Sequence, residues 1–222
     1  MPATRTVLAR GTLVYLRRPV QRDAAPFLTA VLSSKRLHKL WVQPPATRSR
    51  FTTYVRRFSG PRSRDSRHAT HVGMLVCRRE DDAPVGVFNF SEIVRGAFQS
   101  AYLGYYGFAE HVGRGYMSEG LALVLRIGFG TLRLHRIEVD VQPGNTPSIS
   151  LVRHGGFTRE GYSRRYVKIA GRWRDHERWA LLAEDWRGAR TRGRSAPRPP
   201  QTLMNEMRRM SAASVAASRN RS

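Results

Sequence analysis

The chain has 222 residues, 41% of them hydrophobic, which is enough for a sizeable core and argues against wholesale disorder. Its net charge of +23 calls for a polyanionic neighbour or a solvated basic coat and disfavours cationic substrates such as polyamines. Cys77 is the only cysteine, so an internal disulfide and a cysteine metal cluster are excluded; no apolar run reaches the roughly 18 residues of a membrane span, and the start of the chain lacks a secretory apolar core, so a cytoplasmic location is expected.

Residues 13–17 alternate as a first strand. Asp23 can cap a helix whose spacing runs over 24–37, and 38–50, with Trp41, Pro44 and Pro45, reads as a loop. Phe51, Tyr54, Val55 and Phe58 recur at helical intervals over 48–58. Residues 59–68, rich in Gly, Pro, Ser and Arg, read as an exposed basic loop. Three strands follow at 70–78, 85–90 and 99–108, with Cys77 as a small core residue of the first. A helix over 120–129, a strand over 136–141 and a short helix over 146–154 come next. Two strands, 157–168 and 172–182, close as a hairpin around Ala170 and Gly171. The order is that of a mixed α/β sheet. Residues 1–187 form the folded domain; 188–222, a basic tail rich in Arg, Pro and Ala, is expected to be disordered.

Val112-Gly113-Arg114-Gly115-Tyr116-Met117-Ser118-Glu119 lies between the strand ending at Phe108 and the helix after it. A glycine loop that opens a helix turns several amides toward one point, and the helix N-terminus adds partial positive charge. A pyrophosphate fits such a site, but two glycines alone admit any phosphate.

Further runs narrow the choice. They are Val85-Gly86-Val87-Phe88-Asn89-Phe90-Ser91, Tyr102-Leu103-Gly104-Tyr105, Leu134-His135-Arg136-Ile137-Glu138, Asn145-Thr146-Pro147-Ser148, Gly156-Phe157-Thr158-Arg159-Glu160-Gly161-Tyr162 and Gly171-Arg172-Trp173-Arg174-Asp175-His176. In this order and spacing, over residues 11–187, the chain resembles the GCN5-related N-acetyltransferases (GNAT), in the RimJ/RimL branch that acetylates ribosomal-protein alanines. The resemblance implies a GNAT fold, with a mixed central sheet splayed around an acetyl-CoA cleft and flanked by helices. The acceptor it implies is the α-amino group of a protein N-terminus, Ala or Ser of a ribosomal protein. The alternatives are another amine, or a ribosome- or RNA-binding assembly factor.

The resemblance assigns the pyrophosphate to the loop Val112, Gly113, Arg114, Gly115, Tyr116, Met117 and Ser118. Val112 and Met117 depart from the family's usual residues, so backbone amides must make the contact. Amides near Gly107 and Phe108 would face the thioester, and Asn145 would bind the pantetheine arm. Ser148 resembles the serine that protonates the departing thiolate in this branch. The tyrosine that many members use for this step is replaced by Val152. Glu138 is the candidate base, acting through water, with Asp140 and Glu92 as alternatives; each has pairing with Arg133, Arg136 or Arg95 as its ordinary role. His111 and His135 are assigned structural or solvent-facing roles. The scattered histidines carry no metal signature, so no metal is expected. A basic surface that contacts rRNA and a monomeric or dimeric state complete the expectations.

Overall fold

The computed structural model describes residues 6–58 and 69–188. The loop expected at 59–68 and the tail beyond residue 188 lie outside the described residues. Eight strands form one sheet: β1 (Val7–Arg10), β2 (Val14–Arg17), β3 (Val72–Arg78), β4 (Pro84–Val94), β5 (Ser100–Gly107), β6 (Arg136–Val141), β7 (Thr158–Ile169) and β8 (Arg172–Leu182). Their spatial order is β1-β2-β3-β4-β5-β6-β8-β7. Every neighbouring pair is antiparallel except β5 and β6, which are parallel. The helices are α1 (Ala24–Ser33), α2 (Lys35–His38), α3 (Arg48–Phe58), α4 (Tyr116–Arg126) and α5 (Thr146–His154). This is the mixed α/β class expected from the sequence.

Helices cover both faces, so alternate residues of one strand enter different cores. In β2 and β3, Val14, Leu16, Met74 and Val76 join Leu121, Val124 and Val152 on one side. Tyr15, Leu75 and Cys77 join Phe27, Phe51 and Tyr54 on the other. β3 is therefore buried along nearly its whole length. The hairpin turns at Ala170 and Gly171, both with positive φ (49° and 79°), the conformation a tight two-residue turn requires.

Several details differ from the sequence expectations; the helix expected over 120–129 starts at Tyr116 and passes into a π-helical turn at Ile127–Thr131. β1 was not foreseen, because Val7-Leu8-Ala9 is apolar at three successive positions and shows no alternation. β4 runs on to Val94 through a register shift after Ser91, with Glu92 at φ 48°. The helix over 24–37 breaks at Ser34, whose buried hydroxyl accepts the Ala109 N–H at 2.8 Å. Asp23 precedes α1 but makes no side-chain cap. Its carboxylate instead accepts from Arg17 at 2.7 and 2.9 Å and from the Val20 N–H at 2.8 Å.

Arg17 and Asp23 are 2% and 1% exposed, so removing one partner strands a buried charge. Asp23→Ala is expected to cost about 3–5 kcal/mol, measured as a drop in the urea midpoint with an unchanged slope.

Candidate active site

β5 and β6 are joined over only three residue pairs, Ser100–Arg136, Ala101–Ile137 and Tyr102–Glu138. Beyond them β5 continues to Gly107 along β4, while β6 continues to Val141 along β8. The strands part, and the gap is a cleft of ≈ 520 Å³. The Phe108 N–H donates to the Val85 carbonyl at 3.0 Å. Hydrogen-bonded pairs in this antiparallel ladder therefore fall at Val85/Phe108 and Val87/Tyr106, and the intervening Tyr105 and Gly107 turn their backbone groups to the open edge. Of the two amides expected to face a thioester, that of Gly107 points toward the cleft and that of Phe108 is committed to β4.

The glycine loop closes one end. Gly113 and Gly115 adopt φ 78° and 77°, where any side chain is strained, although a Cβ at either would meet nothing within 4 Å. Conformation, not space, requires glycine here. Gly115 opens α4 without a side-chain cap, and the first helical bond runs from the Glu119 N–H to the Gly115 carbonyl at 3.0 Å. Amides ahead of Glu119 thus have no acceptor within the helix. The Glu119 carboxylate leaves the loop and accepts the backbone N–H groups of Thr12, Leu13 (2.8 Å) and Val14 (3.1 Å), which fixes α4 to β2. Met117 lies over β4 and β5, where a Cβ on Gly86 would meet its Sδ at 2.4 Å.

Asn145 caps α5 by accepting the Ser148 N–H at 3.3 Å. The Ser148 hydroxyl lies 2.6 Å from that of Tyr105 on β5. Val152 is fully buried, so the position contributes packing only.

Ten of the residues singled out in the sequence line the cleft: Gly107, Phe108, Val112, Gly113, Gly115, Tyr116, Met117, Ser118, Asn145 and Ser148. Arg114 stands in the exposed loop and is not in the lining. Glu138 is not in the lining either: it pairs with Arg136 at 3.0 Å and Arg178 at 2.9 Å where β5 and β6 are still joined. Asp140, behind it, is pushed up to about 6 by burial, against the pull of Arg178. Glu92 is exposed beside Arg57 and His71. No Asp or Glu of the described residues lines the cleft.

Sequence reasoning missed one wall, formed by Leu37, His38, Trp41 and Val42. Buried His38 donates from Nε2 to the Gly107 carbonyl at 2.8 Å, and burial lowers its pKa. The Gln142 amide reaches the Leu40 carbonyl at 2.9 Å and ties this wall to the end of β6. Nothing local marks these contacts, which are long-range. His111 also lines the cleft, with its pKa lowered by burial, whereas His135 is half-exposed beside Glu184.

A family model described as an acetyltransferase (GNAT) domain matches residues 14–158. The chain belongs to the GNAT acetyltransferases. It is 38% identical over 138 residues to the probable N-acetyltransferase YjcK of Bacillus subtilis, covering 62% of this chain and 72% of that one. It is 42% identical over 102 residues to the [ribosomal protein uS5]-alanine N-acetyltransferase of Escherichia coli, covering 46% of this chain and about half (53%) of that protein. The solved structure of Mycobacterium smegmatis RimJ in complex with CoA-disulfide superposes with a TM-score of 0.70 at 29% identity, covering 78% of this chain and 83% of that one. The chain is thus an acetyl-CoA-dependent acetyltransferase related to the ribosomal-protein alanine enzymes. The uncapped α4 amides and the left-handed glycines form a backbone donor set suited to an anion. Among the described residues no cluster of His, Cys, Asp or Glu could hold a metal ion, and no helix is long and apolar enough to cross a membrane.

Gly115→Ala places a Cβ in the left-handed region at a cost of about 1–2 kcal/mol. Calorimetric titration is expected to show CoA binding weakened about tenfold, with the melting temperature lowered by a few degrees.

Proposed function

We propose that the chain transfers acetyl from acetyl-CoA to the α-amino group of a protein N-terminus, Ala or Ser of a ribosomal protein. The name and 42% identity of the uS5-alanine relative support the acceptor. The observation that carries the preference for an α-amine is the cleft lining, which holds no carboxylate among the described residues. Two of the histidines in the lining, His38 and His111, have pKa values held down by burial. With no carboxylate in the lining to hold an ammonium ion or take its proton, the amine that reacts is the neutral form. At pH 7 an α-amino group, with a pKa near 8, is neutral about 200 times more often than a lysine side chain. The excess of basic residues further disfavours polycationic acceptors.

In this reading the α4 amides of Tyr116, Met117 and Ser118, with the Gly113–Gly115 backbone, hold the pyrophosphate, and Asn145 holds the pantetheine arm. The Gly107 N–H donates to the acetyl oxygen and stabilises charge developing there. Acetyl-CoA supplies the acetyl group as a thioester. Ser148 donates a hydrogen bond to the departing sulfur, while the surplus proton of the amine leaves to solvent. Glu138, saturated by Arg136 and Arg178, serves the strand junction in this account.

The test compares an Ala-initiated peptide, an N-blocked peptide with one lysine and spermidine as acceptors. Transfer to the Ala peptide is expected to exceed the others about 100-fold at pH 7 and to rise with pH up to about 8 as the amine loses its proton. Equal or faster transfer to lysine or spermidine would overturn the α-amine assignment.

A further inference from the structure

The 2.6 Å contact between the Tyr105 and Ser148 hydroxyls has one proton between its two oxygens. The phenol has a single proton to give, and of its two possible acceptors Ser148 Oγ is much nearer than the Ser148 carbonyl at 3.3 Å. A phenol is a far stronger acid than a serine hydroxyl and is the better donor of the pair. With Tyr105 donating, the Ser148 proton must turn away, and both residues line the cleft. Neither group is loose. The Tyr105 ring packs against Phe88 of β4 at 5.4 Å, and the Ser148 N–H is held by Asn145. Burial pushes the Tyr105 phenol up to about 12, against the opposing pull of the Ser148 hydrogen bond. It therefore keeps its proton over the whole working range.

We infer that Tyr105 is a positioning residue for acetyl transfer: it occupies the lone-pair side of Ser148 Oγ and directs the serine proton at the sulfur that leaves. This rests on the acetyl-transfer reading above. As the amine nitrogen bonds to the acetyl carbon, the C–S electron pair departs on sulfur and accepts the Ser148 hydrogen bond. The amine gives up its extra proton to solvent, and the thiolate then takes one from solvent. Tyr105 itself is neither consumed nor charged.

The experiment is a double-mutant cycle on the full chain, with Tyr105→Phe, Ser148→Ala and both together. CoA affinity is read by calorimetry and transfer to an Ala-initiated peptide by thiol release. Tyr105→Phe is expected to keep its melting temperature and CoA affinity and to lose about tenfold in kcat with KM unchanged. Ser148→Ala is expected to lose about 100-fold, and the double variant no more than Ser148→Ala, because the tyrosine acts only through the serine. With the acetyl thioester of a nitrothiophenol, whose thiolate departs without help, the Tyr105→Phe loss is expected to shrink below about threefold. Should Tyr105→Phe not fold, 3-fluorotyrosine at position 105 retains the hydroxyl and is expected to keep kcat within about twofold of the wild type. A Tyr105→Phe enzyme as fast as the wild type, losses that multiply in the double variant, an equal loss with both donors, or a large loss with fluorotyrosine would each overturn the positioning role while leaving the acetyl-transfer reading intact. A wild-type chain that binds no CoA would overturn both.

Discussion

Three residue pairs hold the two halves of this sheet together, and the site follows from there being no more. A parallel strand pair extended to its full length would seal β5 against β6 and leave no room for a substrate. Because pairing stops at Tyr102 and Glu138, Tyr105 and Gly107 keep an edge of backbone donors and acceptors facing a gap. An unpaired edge in a closed core would be costly; here it opens onto the cleft. The junction itself carries the densest ion pairing near the site, with Arg136 and Arg178 on Glu138, and Arg136 also on Glu160. Charge is concentrated at the junction, whereas among the described residues the lining of the gap holds no Asp, Glu, Lys or Arg.

What keeps the open part from collapsing is a set of contacts from outside the sheet. Ser34 takes the Ala109 N–H and His38 takes the Gly107 carbonyl, so two residues one helical turn apart clamp the free end of β5. Gln142 binds the Leu40 carbonyl and spans from that clamp to the far strand. On the other side, Glu119 fastens the first turn of α4 to the β1–β2 turn. The glycine loop is thus held from behind, while its amides stay without acceptors. Gly86 lets Met117 close over β4, so the loop sits against the end of β5 and not away from it.

The elements that carry local signals were legible in the sequence. The alternation of 136–141, the Ala170-Gly171 turn, the helical spacing of 48–58 and the strand–glycine–helix succession all appear where their patterns place them. The conformation of the glycine loop was readable because glycine at positive φ and an uncapped helix start are local properties. Ser34, His38 and Tyr105 were not, because what matters about each is a partner 43 to 75 residues away. Asp23 shows the same limit from the other side. A residue suited to capping a helix was drawn off by a buried arginine that no local pattern announces.

The missing carboxylate ties these levels together. Glu138 and Asp140 share one face of β6, as the alternation of 136–141 implies, yet both pair there with Arg178 of β8 and neither lines the cleft. A carboxylate in the cleft would bind an ammonium and speed its deprotonation, but it would also stabilise every lysine and polyamine that entered. In the proposed reading, leaving the cleft without one shifts discrimination onto the acceptor, because only an amine that readily sheds its proton in water arrives reactive. In that reading the cleft serves the other half of the reaction: the Gly107 amide for the acetyl oxygen, and two hydroxyls held 2.6 Å apart for the sulfur.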